Sequence, residues 1–118
     1  SANTLFPEIH DILHQTTGVI IENIKSRAIK RDTYYIGSGD KNNAFIHLDL
    51  ALIEGRPLEM KQALDALLLE YLEAHFEASK KTLNLQITIK IHDVTKNTYF
   101  KYPSGSLTPQ ISSDAQAK

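Results

Sequence analysis

Three stretches of the chain carry hydrophobic patterns that are long enough to predict elements. In residues 43–52 every second residue is apolar, as in a strand with one buried face: Ala44, Ile46, Leu48, Leu50 and Leu52. The same alternation recurs in residues 83–91. Between the two, apolar residues recur at intervals of three and four, which predicts an amphipathic helix from about residue 58 to Lys80. The pattern therefore predicts a strand, a long helix and a second strand, in that order.

Weaker patterns on either side complete the predicted order of elements. Residues 5–16 carry a short apolar stripe, which predicts a first helix ending near Gly18. The segment 24–36 is rich in β-branched and aromatic residues, so we predict a strand, which the turn-forming residues 37–42 would join to the next strand as a hairpin. Residues 98–102 are predicted as a short edge strand. This order predicts an α+β fold with two helices packed on one sheet.

Length, charge and composition limit the classes of function. The chain has 118 residues, the size of one domain. With 13 basic and 14 acidic residues its formal charge is −1, which excludes a strongly electrostatic nucleic-acid or membrane-surface binder. The absence of cysteine excludes disulfides, thiolate catalysis and cysteine-based metal sites. No apolar run approaches the ~18 residues that span a bilayer, and we expect a cytoplasmic protein.

The composition changes near the carboxyl end of the chain. From Pro103 onward the residues are mostly Pro, Ser, Gly, Gln, Asp and Ala. Such a segment has too few apolar side chains to form a core. We therefore predict a folded domain over residues 1–102 and a flexible tail over residues 103–118.

One arginine stands at a corner that suits an anion. Gly55 can turn the backbone after the strand at 43–52, and Pro57 can open the helix that follows. Arg56 lies between them, next to the positive end of the helix dipole, where a small anion would be stabilised. The alternative is a surface arginine with no ligand.

The histidines give weaker indications. His10 and His14 are four residues apart, so both could lie on one face of the first helix, but no third ligand accompanies them and we predict no metal site. His47 and Asp49 share the polar face of their strand and could form a hydrogen bond. His75 lies on the apolar stripe of the long helix, where we expect a half-buried ring with a polar partner.

Several segments together resemble the 5-carboxymethyl-2-hydroxymuconate isomerases of the tautomerase superfamily. The resemblance covers roughly residues 1–102. It depends on the segments Ile24-Lys-Ser-Arg27, Ala44-Phe-Ile-His-Leu48, Gly55-Arg-Pro-Leu-Glu59 and Ala74-His-Phe76.

The resemblance implies a fold, an activity and a set of site residues. The fold is a β-α-β repeat made twice, with two helices on one mixed sheet, assembled as a homotrimer. The activity is an isomerisation that needs no metal and no organic cofactor, in which an N-terminal proline moves a proton along an unsaturated dicarboxylate. Arg56, Lys25 and Arg27 match the cationic side chains that hold the carboxylates. For Lys25 and Arg27 the alternative is a solvated basic face.

The sequence departs from this family pattern at its first residue. The strand that carries the catalytic proline would precede Ser1, and the internal prolines have no basic amine to replace it. A short segment with that proline could precede Ser1 in the native protein, or this member could have lost its base. A third alternative is the α-amino group of Ser1, since an α-amine titrates near pH 7.7–8.0.

We therefore expect a cofactor-independent isomerase of a small dicarboxylate in aromatic-compound catabolism. The alternative is a catalytically silent trimer of the same fold that binds small organic anions or a protein partner. A structural α+β oligomer without a small-molecule site is a weaker alternative.

Overall fold

A computed structural model of the protein describes residues 2–103. Its elements are, in chain order, helix α1 (Ala2–Thr17), strand β1 (Asn43–Ile53), helix α2 (Leu58–His75), the short helix α3 (Glu77–Lys80) and strand β2 (Asn84–Val94). Turns of 3-10 helix lie at Ile21–Asn23 and Lys96–Thr98. None of the helices within these residues is long and apolar enough to cross a membrane. The chain thus forms a small α+β fold.

Strand β1, helix α2 and strand β2 form one β-α-β unit. The strands are parallel, with Asn43 paired to Asn84 at one end and Ile53 to Val94 at the other. Parallel neighbours need a long crossover, which α2 supplies. Between β1 and α2 the chain turns at Gly55, whose φ of +121° is a conformation that other residues rarely adopt. The two central strands and the helix between them are confirmed as the sequence pattern predicts.

The core lies between the two long helices and one face of the sheet. Its buried members are apolar residues of α1, β1 and α2: Ile9, Leu13, Leu52, Leu64, Leu68 and Leu72. Leu64 and Leu68 are completely inaccessible to solvent. The apolar residues of β2 cover this core and remain partly accessible. Both helices therefore depend on the same sheet face for burial.

The predicted strand at 24–36 does not form, and neither does the hairpin. Residues 25–35 are all exposed, so the segment has no buried face to match its approximate alternation. A strand also needs a neighbour for its backbone hydrogen bonds, and in the described part of the chain β1 and β2 pair only with each other. The described sheet is accordingly parallel rather than mixed.

Two further boundaries differ from the prediction. The long helix ends at His75, because Phe76 leaves helical geometry (φ −103°, ψ 26°) before α3 begins. The predicted edge strand at 98–102 is wrong, since the chain forms a 3-10 turn at Lys96–Thr98 and is irregular from Tyr99 onward. The predicted tail lies outside the described residues from position 104.

Candidate functional site

The carboxyl ends of both strands meet at one edge of the sheet, because the strands are parallel. The N–H of Glu54 donates to the carbonyl of Val94 at 2.9 Å. The N–H of Lys96 then donates to the Oε2 atom of Glu54, also at 2.9 Å. These bonds join residues 54–57, here called the Arg56 corner, to the turn after β2. In α/β sheets this edge is the usual place for a ligand.

Arg56 is half-buried at this corner and is held by its own strand. Its Nη1 atom donates to the carbonyl of Ile53 at 3.0 Å. Its Nε atom is buried and finds no acceptor among residues 2–103. A guanidinium has five N–H donors in a planar fork that matches a carboxylate. Arg56 is therefore held in position, and the remaining Nη donors, rather than the buried Nε, are the ones that suit a ligand.

The corner also contains the amino end of α2. Pro57 caps this helix without a side-chain hydrogen bond, so the first N–H groups of the helix have no side-chain acceptor at the cap. Unpaired N–H groups and the helix dipole favour negative charge at such an end. The guanidinium of Arg56 and the end of α2 thus favour the same kind of ligand.

Lys96 adds a second positive charge that sequence reasoning missed. A methyl group placed on Gly55 would lie 3.9 Å from the Nζ atom of Lys96. The ammonium is therefore next to the residue that precedes Arg56. The signal that could have found it is the rule that parallel strands end at the same edge, which puts the residues after β2 beside those after β1.

Lys25 and Arg27 lie on an exposed irregular segment, not on a strand. In the predicted strand at 24–36, residues two positions apart would have pointed to the same side, but that strand does not form. Lys25 donates from Nζ to the carbonyl of Asn23 at 3.2 Å. No hydrogen bond within residues 2–103 ties either side chain to the Arg56 corner. That Arg56, Lys25 and Arg27 together bind a substrate stays a prediction.

Lys101, near the carboxyl end of the described chain, contacts residues 23–31, here called the basic segment because they include Lys25, Arg27, Lys30 and Arg31. Its half-buried side chain donates from Nζ to the Oδ1 atom of Asn23 at 2.9 Å. The two residues are 78 positions apart, so no local pattern could have predicted the contact. The ammonium groups of Lys25 and Lys101 are thus both bound to Asn23.

The two histidines of α1 contact residues that follow the helix, and one of them, His10, joins the basic segment to it. The ring of His10 and the hydroxyl of Ser26 are 2.8 Å apart at Nε2 and Oγ. His14 contacts the carbonyl of Val19 through Nδ1 at 2.8 Å, and since a carbonyl only accepts, that nitrogen carries a proton. No group of three or more metal-binding side chains comes together in the part of the chain that is described.

The remaining polar candidates lie away from the Arg56 corner. His47 binds Thr88 at 2.7 Å rather than Asp49, which instead faces His92 at 3.3 Å. These pairs cross the sheet on its open face and tie the two strands together. We assign them no part in the site.

Tyr71 of α2 contacts His75 of the same helix and Glu8 of α1. His75 is half-buried as predicted, with Nδ1 3.3 Å from the hydroxyl of Tyr71. That hydroxyl also donates a short hydrogen bond to Glu8. Burial, and then the hydrogen bond and charge of Glu8, raise the pKa of Tyr71 to about 12. The phenol is thereby kept neutral and structural.

Comparison with known proteins gives the family. The family model of 5-carboxymethyl-2-hydroxymuconate isomerase matches residues 1–104. The chain therefore belongs to the 5-carboxymethyl-2-hydroxymuconate isomerase family. It is also 28% identical, over 97 residues, to the 5-carboxymethyl-2-hydroxymuconate Delta-isomerase of Escherichia coli. That alignment covers 82% of this chain and 77% of the relative.

The family match includes every cation described above. Lys25, Arg27, Arg56, Lys96 and Lys101 all lie within residues 1–104. Family and relative both indicate a tautomerase-type isomerase.

Proposed function

We propose that this protein is a cofactor-independent isomerase that moves a proton and a double bond in an unsaturated dicarboxylate, in aromatic-compound catabolism. The substrate class is that of 5-carboxymethyl-2-hydroxymuconate. The observation that carries the proposal is the family match over residues 1–104. The Arg56 corner supports it, because a fixed guanidinium beside a helix end is suited to a carboxylate.

The roles in this reaction follow from the charge of the groups. A base removes a proton from a carbon of the substrate, and the electrons of that C–H bond form a dienolate. The same proton returns at another carbon, so the double bond has moved and no redox partner is needed. Arg56, Lys25 and Arg27 hold the carboxylates, and their positive charge stabilises the dienolate. The base is the N-terminal proline that the family resemblance implies ahead of Ser1.

The assembly that goes with this proposal is a homotrimer. A domain of this size buries a modest fraction of its surface and gains stability from association. Light scattering of the purified protein is expected to give three times the mass of one chain. A monomeric mass would contradict the trimer.

The experiment is a turnover assay that follows the ultraviolet absorbance of 5-carboxymethyl-2-hydroxymuconate. Arg56→Ala is expected to lower kcat/KM by about 10- to 150-fold, because a hydrogen bond to a charged group contributes about 1.5–3 kcal/mol. Arg31→Ala is the matched control, since Arg31 is exposed on the irregular segment. Equal turnover in the two variants would remove Arg56 from the site.

N-terminal sequencing of the native protein tests the base. A terminal proline ahead of Ser1 is expected. A native chain that begins at Ser1, binds the dicarboxylate and does not turn it over would instead support the silent anion-binding trimer.

A further inference from the structure

The chain between β1 and α2 is attached to the end of β2 at both of its ends. On the β1 side, the N–H of Glu54 donates to the carbonyl of Val94 at 2.9 Å. On the α2 side, the ammonium of Lys61 lies 3.2 Å from each carboxylate oxygen of Asp93. The Arg56 corner is therefore an arch between two attached ends, and the conformation of the arch decides where the guanidinium lies.

The backbone before Arg56 is flexible at one residue. Gly55 has a φ of +121°, and glycine restricts the backbone less than any other residue. The Nη1 atom of Arg56 donates back to the carbonyl of Ile53 at 3.0 Å, across Glu54 and Gly55. Of the two residues between this donor and its acceptor, Glu54 is therefore the one that restrains the direction of Arg56.

Glu54 supplies this restraint through its side chain as well as its backbone. Its half-buried carboxylate accepts the backbone N–H of Lys96 at 2.9 Å. Lys96 is the first residue of the 3-10 turn Lys96–Thr98, and the preceding Thr95 makes no capping hydrogen bond from its side chain in the described chain. The first N–H groups of a helical turn have no partner within the turn. Glu54 therefore caps this turn from beyond the end of β1.

The hydrogen bond to Lys96 requires an acceptor but not a charge. A glutamine side chain has the same length as glutamate and offers a carbonyl oxygen to the same N–H. A negative charge two positions from Arg56 does not attract an anion. The contacts of Glu54 therefore support a geometric role rather than an electrostatic one.

We infer that Glu54 is a positioning residue, which fixes the direction of the Arg56 guanidinium by binding the backbone of Lys96. The inference rests on the proposed function for the ligand that Arg56 meets. Glu54 acts through Arg56 and is assigned no contact with this ligand. Removal of the Glu54 side chain is expected to weaken substrate binding, and glutamine in its place is expected to preserve it.

Turnover of 5-carboxymethyl-2-hydroxymuconate is the first readout, with KM and kcat measured separately. Glu54→Ala is expected to raise KM about tenfold with little change in kcat, because Arg56 binds a carboxylate both before and during the reaction. Glu54→Gln is expected to stay within about twofold of the wild type. In the Arg56→Ala background, Glu54→Ala is expected to have no further effect on turnover, since the group that it positions is gone. Glu70→Ala, which removes an exposed carboxylate of α2, is the matched control.

Hydrogen exchange measured by NMR tests the positioning role without any turnover. The Nε atom of Arg56 is buried, so its N–H is expected to exchange slowly with water. Glu54→Ala is expected to accelerate this exchange about tenfold, whereas Glu54→Gln and Glu70→Ala are expected to keep the wild-type rate. The backbone N–H groups of Leu64 and Leu68, whose side chains are fully buried, report on the whole fold. Unchanged exchange at these two residues shows that the effect is local.

Failure of the inference is separable from failure of the proposed function. Equal exchange of the Arg56 Nε–H in Glu54→Ala and Glu70→Ala overturns the positioning role, even where the wild type turns over hydroxymuconate. Equal losses in Glu54→Ala and Glu54→Gln, or additive losses in the double variant with Arg56→Ala, overturn it as well. A wild type without turnover overturns the proposed function, and the exchange rates then still decide the positioning role.

Discussion

The hydrogen bond between Tyr71 and Glu8 makes the stability of the fold depend on alkaline pH. Tyr71 belongs to α2 and Glu8 to α1, so the bond links the two long helices. Burial and the neighbouring carboxylate raise the pKa of Tyr71 from 10.0 to about 12. Below pH 10 both the folded and the unfolded chain keep the phenol proton, and the stabilisation is complete. As the pH rises from 10 towards 12 the unfolded chain loses this proton first, so the free energy of unfolding falls.

The size of this effect follows from the pKa difference. A rise from 10.0 to about 12 corresponds to at most about 2.7 kcal/mol. Tyr71 is only half-buried, and solvent screens part of its interaction with Glu8. We therefore expect the fold to lose about 1–2 kcal/mol through Tyr71 across this range.

Urea denaturation at a series of pH values measures the effect. Tyr71→Phe removes the titrating hydroxyl, so the difference in unfolding free energy between the wild type and this variant isolates its contribution. The wild type is expected to be the more stable at pH 8, and its advantage is expected to shrink as the pH rises through 10 to 12. Tyr102→Phe, at a position that is 96% exposed, controls for the loss of a phenol elsewhere. An advantage that stays constant from pH 8 to 12 would refute the reasoning.

Three substitutions test the packing of the core, the backbone of one turn and one ion pair. Leu68→Ala is expected to destabilise the fold by about 3–5 kcal/mol in urea denaturation, because its side chain is fully buried; a loss below about 1 kcal/mol would contradict this core. Gly39→Ala is expected to lower the unfolding free energy by about 1–2 kcal/mol, since φ is +88° there, and an unchanged value would show that the turn adapts. Lys61→Ala, which breaks a partly exposed ion pair with Asp93 at 3.2 Å, is expected to cost less than about 1 kcal/mol; a larger loss, or a pair insensitive to salt, would contradict a solvent-screened bridge.

The sequence predicts the β-α-β unit closely, because the spacing of apolar residues there matches the faces of the strands and the helix that are buried in the fold. The alternation in residues 43–52 and 83–91 matches strands that run over Asn43–Ile53 and Asn84–Val94. Each strand has one face against the helices and one face open, which is the arrangement that produces strict alternation. The long helix begins where Pro57 predicts it, at Leu58.

The segment 24–36 shows why β propensity alone is a weaker guide. Its β-branched and aromatic residues favour extended backbone, but a strand is stabilised by a neighbour and by a buried face. The described chain supplies neither to this segment. Its hydrogen bonds are local instead of bonds between strands; the hydroxyl of Tyr35, for example, donates to the carbonyl of Ser38 at 3.1 Å.

The candidate site likewise has residues that neighbours in the sequence could place and residues that only contacts between distant parts of the chain could place. Arg56 could be placed because glycine, arginine and proline stand side by side between two strongly patterned elements. Lys96 and Lys101 could not, because their partners are Glu54 and Asn23, 42 and 78 positions earlier in the chain. Only the folded topology brings such pairs together.

Lys96 and Lys101 lie on the same short connector, residues 95–101. A change in the length of this connector therefore shifts one lysine relative to the other. Deleting a single residue between them would shorten the reach of the chain by about 3.5 Å. The chain would then have to straighten at the 3-10 turn Lys96–Thr98, or one of the hydrogen bonds to Glu54 and Asn23 would be lost. Within the described chain no hydrogen bond joins the turn at residues 37–42 to Glu54 or Asn23. Its length can therefore change without disturbing either residue. We expect natural variants of this protein to tolerate insertions in that turn and to keep the spacing between these two lysines.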